Sequence, residues 1–259
     1  MEKRYLAPSE VAEYTIIAGE TKAKLSIVRT LLLAIMAGIF IGLGAYGDII
    51  VMQSLSNIDI GLMKFLGAFV FPVGLMLVVI AGAELFTGNN LMTLALASKK
   101  ITLKQLLRNW FLVYLGNFIG SIILAWSISY SNLLQENALN LAIKISESKL
   151  SLTFGEAFIR AILCNFIVVL AVWMGTAARD ITSRILATWF PIMLFVLSGY
   201  EHSIANMFFL SLGKFSGITN SWLEIWYNNL IPVTLGNIVG GAIIVPGVYY
   251  ITYILPAKK

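Results

Sequence analysis

Two short polar stretches interrupt an otherwise apolar sequence and hold most of the residue types that could do chemistry. They read A-G-A-E-L-F-T-G-N-N at 81–90 and S-G-Y-E-H-S-I-A-N at 198–206. An offset of 117 residues aligns Gly82 with Gly199, Glu84 with Glu201 and Asn89 with Asn206. The only histidine, His202, lies in the second stretch, where the first has Leu85. Carboxylates can carry a fixed charge, and histidine can exchange a proton near neutral pH.

These residues do not form the set of side chains that an enzyme active site needs. Catalysis would need clustered metal ligands or a nucleophile beside its base, and the chain has one histidine and one cysteine. Cys164 lies in an apolar segment and is read as a small buried hydrophobe. We therefore expect no catalytic residues, no metal and no cofactor.

The elements that position the polar stretches are membrane-spanning helices. The chain is 59% hydrophobic and only 12% charged, with a mean hydropathy of +0.86, whereas soluble domains are about one-quarter charged. Apolar blocks long enough to cross a membrane predict six spans, near 27–47, 62–98, 106–130, 156–178, 185–213 and 226–254. The second and fifth are long, and the polar stretches break them. The net charge of +5 comes without a base-reading motif, so no nucleic acid is expected.

The polar residues in these breaks must be satisfied at membrane depth. An acidic residue there costs roughly 2.5 to 3.5 kcal/mol. We expect Glu84 and Glu201, with Asn89 and Asn206, to be structural, the carboxylates accepting hydrogen bonds from freed backbone amides. A direct role in transport is the alternative. A lone buried histidine is usually structural, but His202 lies in an irregular segment that must line a cavity, which favours a pore-lining role.

Three asparagines lie within other predicted spans. Asn117 and Asn237 are flanked by glycines with small-xxx-small spacing, which favours helix packing with amide hydrogen bonds between helices. Asn165 is a lone amide in an apolar span. For Asn165 a packing role and a pore-lining role remain equally open.

The sequence contains an internal repeat. L-G-N-F-I-G at 115–120 aligns with L-G-N-I-V-G at 235–240, collinear with the alignment of the breaks. Repeat one then covers about 27–130 and repeat two about 156–254. Because three spans is an odd number, the halves have inverted topology. The half-helices that follow the breaks point their positive N-terminal ends toward the centre, which favours negative charge there.

The distribution of basic residues predicts the orientation. Thirteen of the 18 Lys and Arg residues fall in stretches on the side of the N-terminus, which the positive-inside rule places in the cytosol with the C-terminus. The five expected outside are Lys64, Lys144, Lys149, Arg160 and Lys214. We treat residues 1–26 as a cytosolic segment and 27–255 as the transmembrane domain. Ser9 is expected to cap a helix from Glu10 to about Lys24, with a packing face of Val11, Tyr14, Ile17 and Ala18.

Several strings together resemble the formate/nitrite transporter family. They are G-A-E-L-F-T-G-N (82–89), I-L-C-N-F (162–166), L-A-V-W (170–173), H-S-I-A-N-M-F (202–208) and N-L-I-P-V-T-L-G-N-I-V-G-G (229–241). They cover both halves in order over nearly the whole chain. The resemblance implies an aquaporin-like fold, a homopentamer in the inner or plasma membrane, and a separate pore in each protomer.

The resemblance also implies roles for individual residues. An outer apolar constriction would be formed by Phe71 and Phe195, and an inner one by Leu75, Leu85 and Phe86. Thr87 matches a threonine that contacts the central histidine, and Asn165 and Lys149 match residues near the outer vestibule. Ordinary core packing is the alternative for the constriction residues.

The expected function is a channel or proton-coupled transporter for small monovalent anions, namely formate, nitrite or hydrosulfide. The compact chain favours the hydrosulfide branch of the family. The alternative is an aquaporin-like pore for neutral solutes. That alternative lacks Asn-Pro-Ala at either break and an arginine inside a span that could exclude ions.

Overall fold

The computed structural model describes residues 4–255, so Lys3, Lys258 and Lys259, three of the basic residues expected in the cytosol, lie outside the described residues. The described chain is helical. Its first half contains α1 (Pro8–Ala23), α2 (Ile27–Met52), α3 (Ile60–Val70), α4 (Val73–Met76), α5 (Phe86–Asn89), α6 (Thr93–Ala97) and α7 (Leu103–Tyr130). Its second half contains α8 (Glu136–Leu150), α9 (Phe154–Ala177), α10 (Ile181–Leu197), α11 (Ser203–Ser216), α12 (Trp222–Ile225), α13 (Ile231–Ile238) and α14 (Val245–Tyr249).

Short 3-10 and π-helical segments join several of these helices. The 3-10 turns are Leu55–Asn57 and Asn90–Met92, and the π segments are Leu77–Gly82, Trp226–Leu230, Val239–Ile244 and Tyr250–Ile254. Within residues 4–255, five continuous segments are long and apolar enough to cross a membrane: Ile27–Met52, Ile60–Gly82, Leu103–Tyr130, Phe154–Ala177 and Trp222–Ile254. The predicted span at 185–213 is divided between α10 and α11, at the break that the sequence predicts. The first span extends past the predicted residue 47, because Asp48 lowers local hydropathy yet is buried in the bundle.

The N-terminal helix differs from the prediction. It begins at Pro8 rather than Glu10, and its N-cap is Ala7, not Ser9. Proline is well suited to the first helical position because its missing N–H would be unsatisfied there anyway. The buried face of α1 contains Val11, Ala12, Thr15, Ile16, Gly19 and Ala23, whereas Tyr14, Ile17 and Ala18 are exposed. The predicted face was therefore wrong, except at Val11.

The glycine pattern lets two helix pairs pack with their backbones in close contact. In the first half, Gly116 and Gly120 of α7 face three residues of α2, namely Leu31, Ala34 and Ile35. In the second half, Gly236 of α13 and Gly240 of the segment after it face three residues of α9, namely Phe158, Ala161 and Ile162. Each glycine on α7 lies 120 residues before its counterpart in the second half. Each of the partner residues on α2 lies 127 residues before its counterpart on α9. The predicted repeat is thus present in the packing.

Two helices outside the predicted repeat boundaries also correspond. α1 packs against α6, where Gly19 lies beside Ala95, and α8 packs against α11, where Ser146 lies beside Gly213. Each helix comes directly before the first long helix of its half. The structural repeat therefore includes α1 and α8, which the alignment of the spans alone did not assign.

The close α2–α7 contact predicts a strong effect of one methyl group. In Gly120→Ala the new Cβ would overlap the carbonyl oxygen of Ile35, so α2 and α7 must separate. Overpacking typically costs about 1 to 3 kcal/mol. We expect a lower thermal midpoint of the detergent-solubilised protein. Fluorescence-detected size exclusion after heating measures this midpoint.

Gly155→Ala is the matched control, because no atom lies within 4 Å of a Cβ at that position of α9. Both changes replace a helical glycine by alanine. Equal midpoints for the two variants would show that the α2–α7 contact does not need glycine.

Candidate functional site

Both breaks have the same backbone form. The chain turns at Gly82, with φ +90°, and at Gly199, with φ +69°, a left-handed region that favours glycine. Helices α5 and α11 then begin after the N-caps Leu85 and His202. Broken backbone at membrane depth must find partners within the protein.

Two asparagines on neighbouring helices supply those partners. Asn117 Oδ1 accepts the Phe86 N–H at 2.9 Å, and its Nδ2 donates to the carbonyls of Ala34 and Glu84 at 2.8 and 2.9 Å. In the second half Asn237 Oδ1 accepts the Ser203 N–H at 2.9 Å, and Nδ2 donates to Ala161 and Glu201 at 2.8 and 3.0 Å. Each amide thus joins the two sides of a break to a long helix. The expectation that glutamate carboxylates accept the freed amides was wrong.

The two glutamates are instead neutralised by lysines. Glu84 binds Lys22 of α1 at 2.5 Å, and both oxygens of Glu201 bind Lys149 of α8 at 3.1 Å. A buried carboxylate needs a cation, which a neutral amide cannot replace. The Lys149 ammonium also lies 5.4 Å from the ring centroid of Phe209. Lys22 was missed in the sequence, although its separation of 127 residues from Lys149 matches the offset that relates α2 to α9.

An asparagine pair completes each carboxylate site. Asn89 donates to Glu84 at 2.7 Å and to Asn109 at 2.9 Å. Its counterpart Asn206 donates to Glu201 at 2.5 Å and to Asn229 at 2.8 Å. The buried carboxylates of the two breaks therefore have equivalent partners, a lysine and a pair of asparagines.

The histidine breaks this symmetry. His202 is 3% exposed and caps α11, with Nδ1 accepting the Ala205 N–H at 3.1 Å. Its Nε2 lies 2.8 Å from Thr87 Oγ1, in the other break. Because Nδ1 accepts a hydrogen bond, this arrangement fits the neutral ring, with the proton on Nε2 donated to Thr87.

Asn165 lies between the two halves of the bundle. Its Nδ2 donates to the Asn237 carbonyl at 2.8 Å and to Asn90 Oδ1 at 3.1 Å, with the Thr87 carbonyl 3.4 Å away. It is fully buried and is not among the described residues that line the cavity below. Its contacts are those of a residue that holds α9 against the first break and against α13.

A cavity of about 640 Å³, here called the vestibule, leads to His202. Four basic side chains line it, here called the vestibule cations: Lys64, Lys144, Lys149 and Arg160.

Two aromatic side chains, Phe71 and Phe195, also line the vestibule. Their ring centroids are 5.7 Å apart, and the ring of Phe195 lies 5.8 Å from the His202 ring. Arg160 belongs to α9, contrary to the expectation that no arginine stands inside a span. Fixed positive charge in a cleft raises the local concentration of anions.

The residues expected at the inner constriction lie around the first break. Leu75, Leu85 and Phe86 are buried, and Phe86 packs edge-on against Tyr114 and Trp110, with centroids 5.0 and 5.8 Å apart. They are not among the described residues that line the vestibule. These three apolar side chains are therefore packed in the main hydrophobic core of the bundle.

Long apolar helices, two breaks stabilised within the bundle and a charged vestibule define a multi-pass membrane transport protein. The Formate/nitrite transporter family model matches residues 9–251, and the chain belongs to that family.

Individual relatives agree with this assignment. The chain is 42% identical to the uncharacterized transporter YrhG of Bacillus subtilis (strain 168), over 95% of this chain and 93% of that one. It is 35% identical to the formate channel FocA of Escherichia coli (strain K12), over 96% and 95% of the two chains. A solved pentameric formate channel with formate bound superposes with a TM-score of 0.80 at 39% identity, covering 88% of this chain and 98% of that one. An FNT family ion channel gives 0.87 at 28% identity, covering 94% and 98%.

The asparagine contacts predict a large loss of stability in Asn237→Ala. The change leaves the Ser203 N–H and two carbonyls without their partner, at about 1 to 3 kcal/mol for each buried unsatisfied group. We expect a clearly lower thermal midpoint in detergent than for Asn57→Ala, which removes an exposed amide. Similar midpoints for the two variants would mean that other groups satisfy the break.

Proposed function

We propose that this chain conducts small monovalent anions across the membrane, formate first among them, and nitrite and hydrosulfide as solutes of similar size and charge. The observation that carries the proposal is the vestibule, in which cations converge on an aromatic pair and a buried histidine. The named formate channels among the relatives support formate as the first candidate.

We place the vestibule on the outer side. Four of the five basic residues expected outside line it, all but Lys214. The cations gather anions at its mouth. Both termini then face the cytosol, and the membrane is the inner or plasma membrane.

The apolar side chains set the barrier. Phe71 and Phe195 would form the outer constriction, and Leu75, Leu85 and Phe86 the inner one. An ion that passes an apolar ring must shed water, which costs several kcal/mol for an uncompensated charge. Such rings favour a small solute that can become neutral.

His202 offers a way to neutralise the charge of the anion. A proton that enters with the anion adds to the ring and displaces the Ala205 N–H from Nδ1. The imidazolium pairs with the anion and returns the proton to it, so that the neutral acid leaves and the ring is neutral again. The N-terminal end of α11, 14 residues long, adds partial positive charge at this point. Thr87 holds the ring in place through Nε2.

We also propose a homopentamer with one pore in each protomer. Large apolar side chains are exposed on the long helices, among them Phe111 and Trp126 of α7 and Ile159 of α9. Such faces fit lipid or a second copy of the chain. The pentameric assembly of the solved formate channel supports the same arrangement.

A pore for neutral solutes is the second candidate. The breaks read T-G-N-N and I-A-N-M rather than Asn-Pro-Ala. Vestibule cations give no advantage to an uncharged solute. The anion pathway therefore accounts for more of the structure.

Uptake into liposomes that carry the protein tests the substrate class. We expect entry of formate, and of nitrite or hydrosulfide, well above that of empty liposomes, with glycerol near the background. The same vesicles report all solutes, so protein amount cancels in the ratios. Fast glycerol entry without anion entry would replace the anion pathway by the neutral one.

The histidine mechanism predicts a changed pH profile in His202→Asn. Asparagine is a good N-cap and can still accept the Ala205 N–H, but it cannot titrate. We expect the rise of formate uptake with falling pH to flatten relative to the wild type.

Tyr200→Phe is the control, because it removes a hydroxyl group from the same cavity and leaves His202 in place. Rates are compared as ratios to the wild type at each pH, which cancels the changing fraction of free formic acid. An unaltered profile in His202→Asn would make the histidine purely structural.

A further inference from the structure

A buried carboxyl group that belongs to neither break lies in the wall of the vestibule. Asp48 is in the last turns of α2, lines the vestibule and is 5% exposed. A negative charge here opposes the gathering of anions that the vestibule cations favour. The position of Asp48 therefore calls for a partner that offsets its charge.

No such partner is present in residues 4–255. Asp48 Oδ1 is buried and has no hydrogen-bond partner among the described residues. It lies against Gly67 of α3, where a Cβ would overlap it, and beside Met52. A glycine and a thioether offer neither charge nor a strong donor, so the ionised carboxylate is costly in this position.

The surrounding charges do not change this conclusion. Among the described residues, no Lys or Arg forms an ion pair with Asp48. Lys149 is bound to Glu201. The other vestibule cations are exposed, on α3, α8 and α9, and share their charge with water. The remaining titratable groups that line the cavity are Tyr200, Glu201 and His202.

We propose that Asp48 is a proton-binding site that couples anion entry to the pH of the vestibule. Its reaction is Asp48–COO⁻ + H₃O⁺ ⇌ Asp48–COOH + H₂O, with the proton taken from vestibule water. With the proton bound, the wall is neutral and anions reach the Phe71–Phe195 pair. Without the proton, the carboxylate repels them. This inference rests on the proposed function, and it adds a second proton site distinct from His202.

Asp48→Asn tests the proposal, because asparagine has nearly the same shape and stays neutral. Uptake of labelled formate is measured in cells that have no formate uptake of their own, over outside pH values from about 5 to 8. The ratio of variant to wild-type uptake should be near one at the acidic end and rise to about threefold or more at the alkaline end. Asp48→Ala should change the ratio in the same direction, and the size-exclusion elution of both variants reports their folding.

Glu147→Gln is the matched control, since Glu147 is an exposed carboxylate of α8 outside the cavity lining, and its ratio should stay constant with pH. The dependence of formate efflux on the inside pH should be the same in Asp48→Asn as in the wild type. A substitution of His202, by contrast, should change the pH dependence of both uptake and efflux.

The outcomes separate the two proposals. Absence of anion uptake by the wild type would remove the proposed function itself. Wild-type uptake with a ratio that stays constant in both Asp48 variants would overturn the proton site alone. A wild-type rate at alkaline pH that depends on sodium, lost in Asp48→Asn, would make a metal cation the partner of the carboxyl and would also overturn it.

Discussion

A helix that breaks inside a membrane leaves backbone groups that water cannot reach, and the structure depends on how these groups are satisfied. Here one asparagine for each break accepts the first N–H of the new half-helix and donates to carbonyls on both the break and a long helix. These asparagines can reach the breaks only because glycines on the same helices allow close backbone approach. The L-G-N-x-x-G strings are therefore one structural device used twice.

The second constraint is buried charge. Glu84 and Glu201 each need a cation, and each receives it from a helix that does not itself form a long apolar span. In this way α1 and α8 become necessary parts of the bundle, because removing either lysine would leave an unpaired carboxylate at about 3 to 5 kcal/mol. The two pairs hold the ends of the breaks in equivalent environments. The difference between the halves is then confined to a few positions, of which Leu85 and His202 are one pair.

In the proposed function, that difference supplies the chemistry of the anion path. His202 lines the vestibule, whereas Leu85 is buried and Phe86 beside it packs against Tyr114. In the proposed function, an anion drawn in by fixed positive charge meets an aromatic pair and then a neutral imidazole, which the structure shows hydrogen-bonded to Thr87. In the proposed function, proton exchange at the ring allows a solute that enters as an anion to leave as a neutral acid. In the further proposal, Asp48 adds to the vestibule wall a negative charge that is present only while the carboxyl group has no proton.

The sequence by itself determined the features that depend on local composition and period. Hydropathy predicted the membrane helices, polar residues with glycine predicted both breaks, and self-alignment predicted the repeat that the α2–α7 and α9–α13 contacts display. Only the tertiary structure decided which groups meet: Asn117 and Asn237 rather than the glutamates as acceptors for the breaks, Lys22 as partner of Glu84, the buried face of α1, and the burial of Asp48. The physical reason is that hydropathy is summed over neighbours in the chain, whereas a hydrogen bond or ion pair joins atoms that are dozens of residues apart. Their partners are fixed only when the helices have packed.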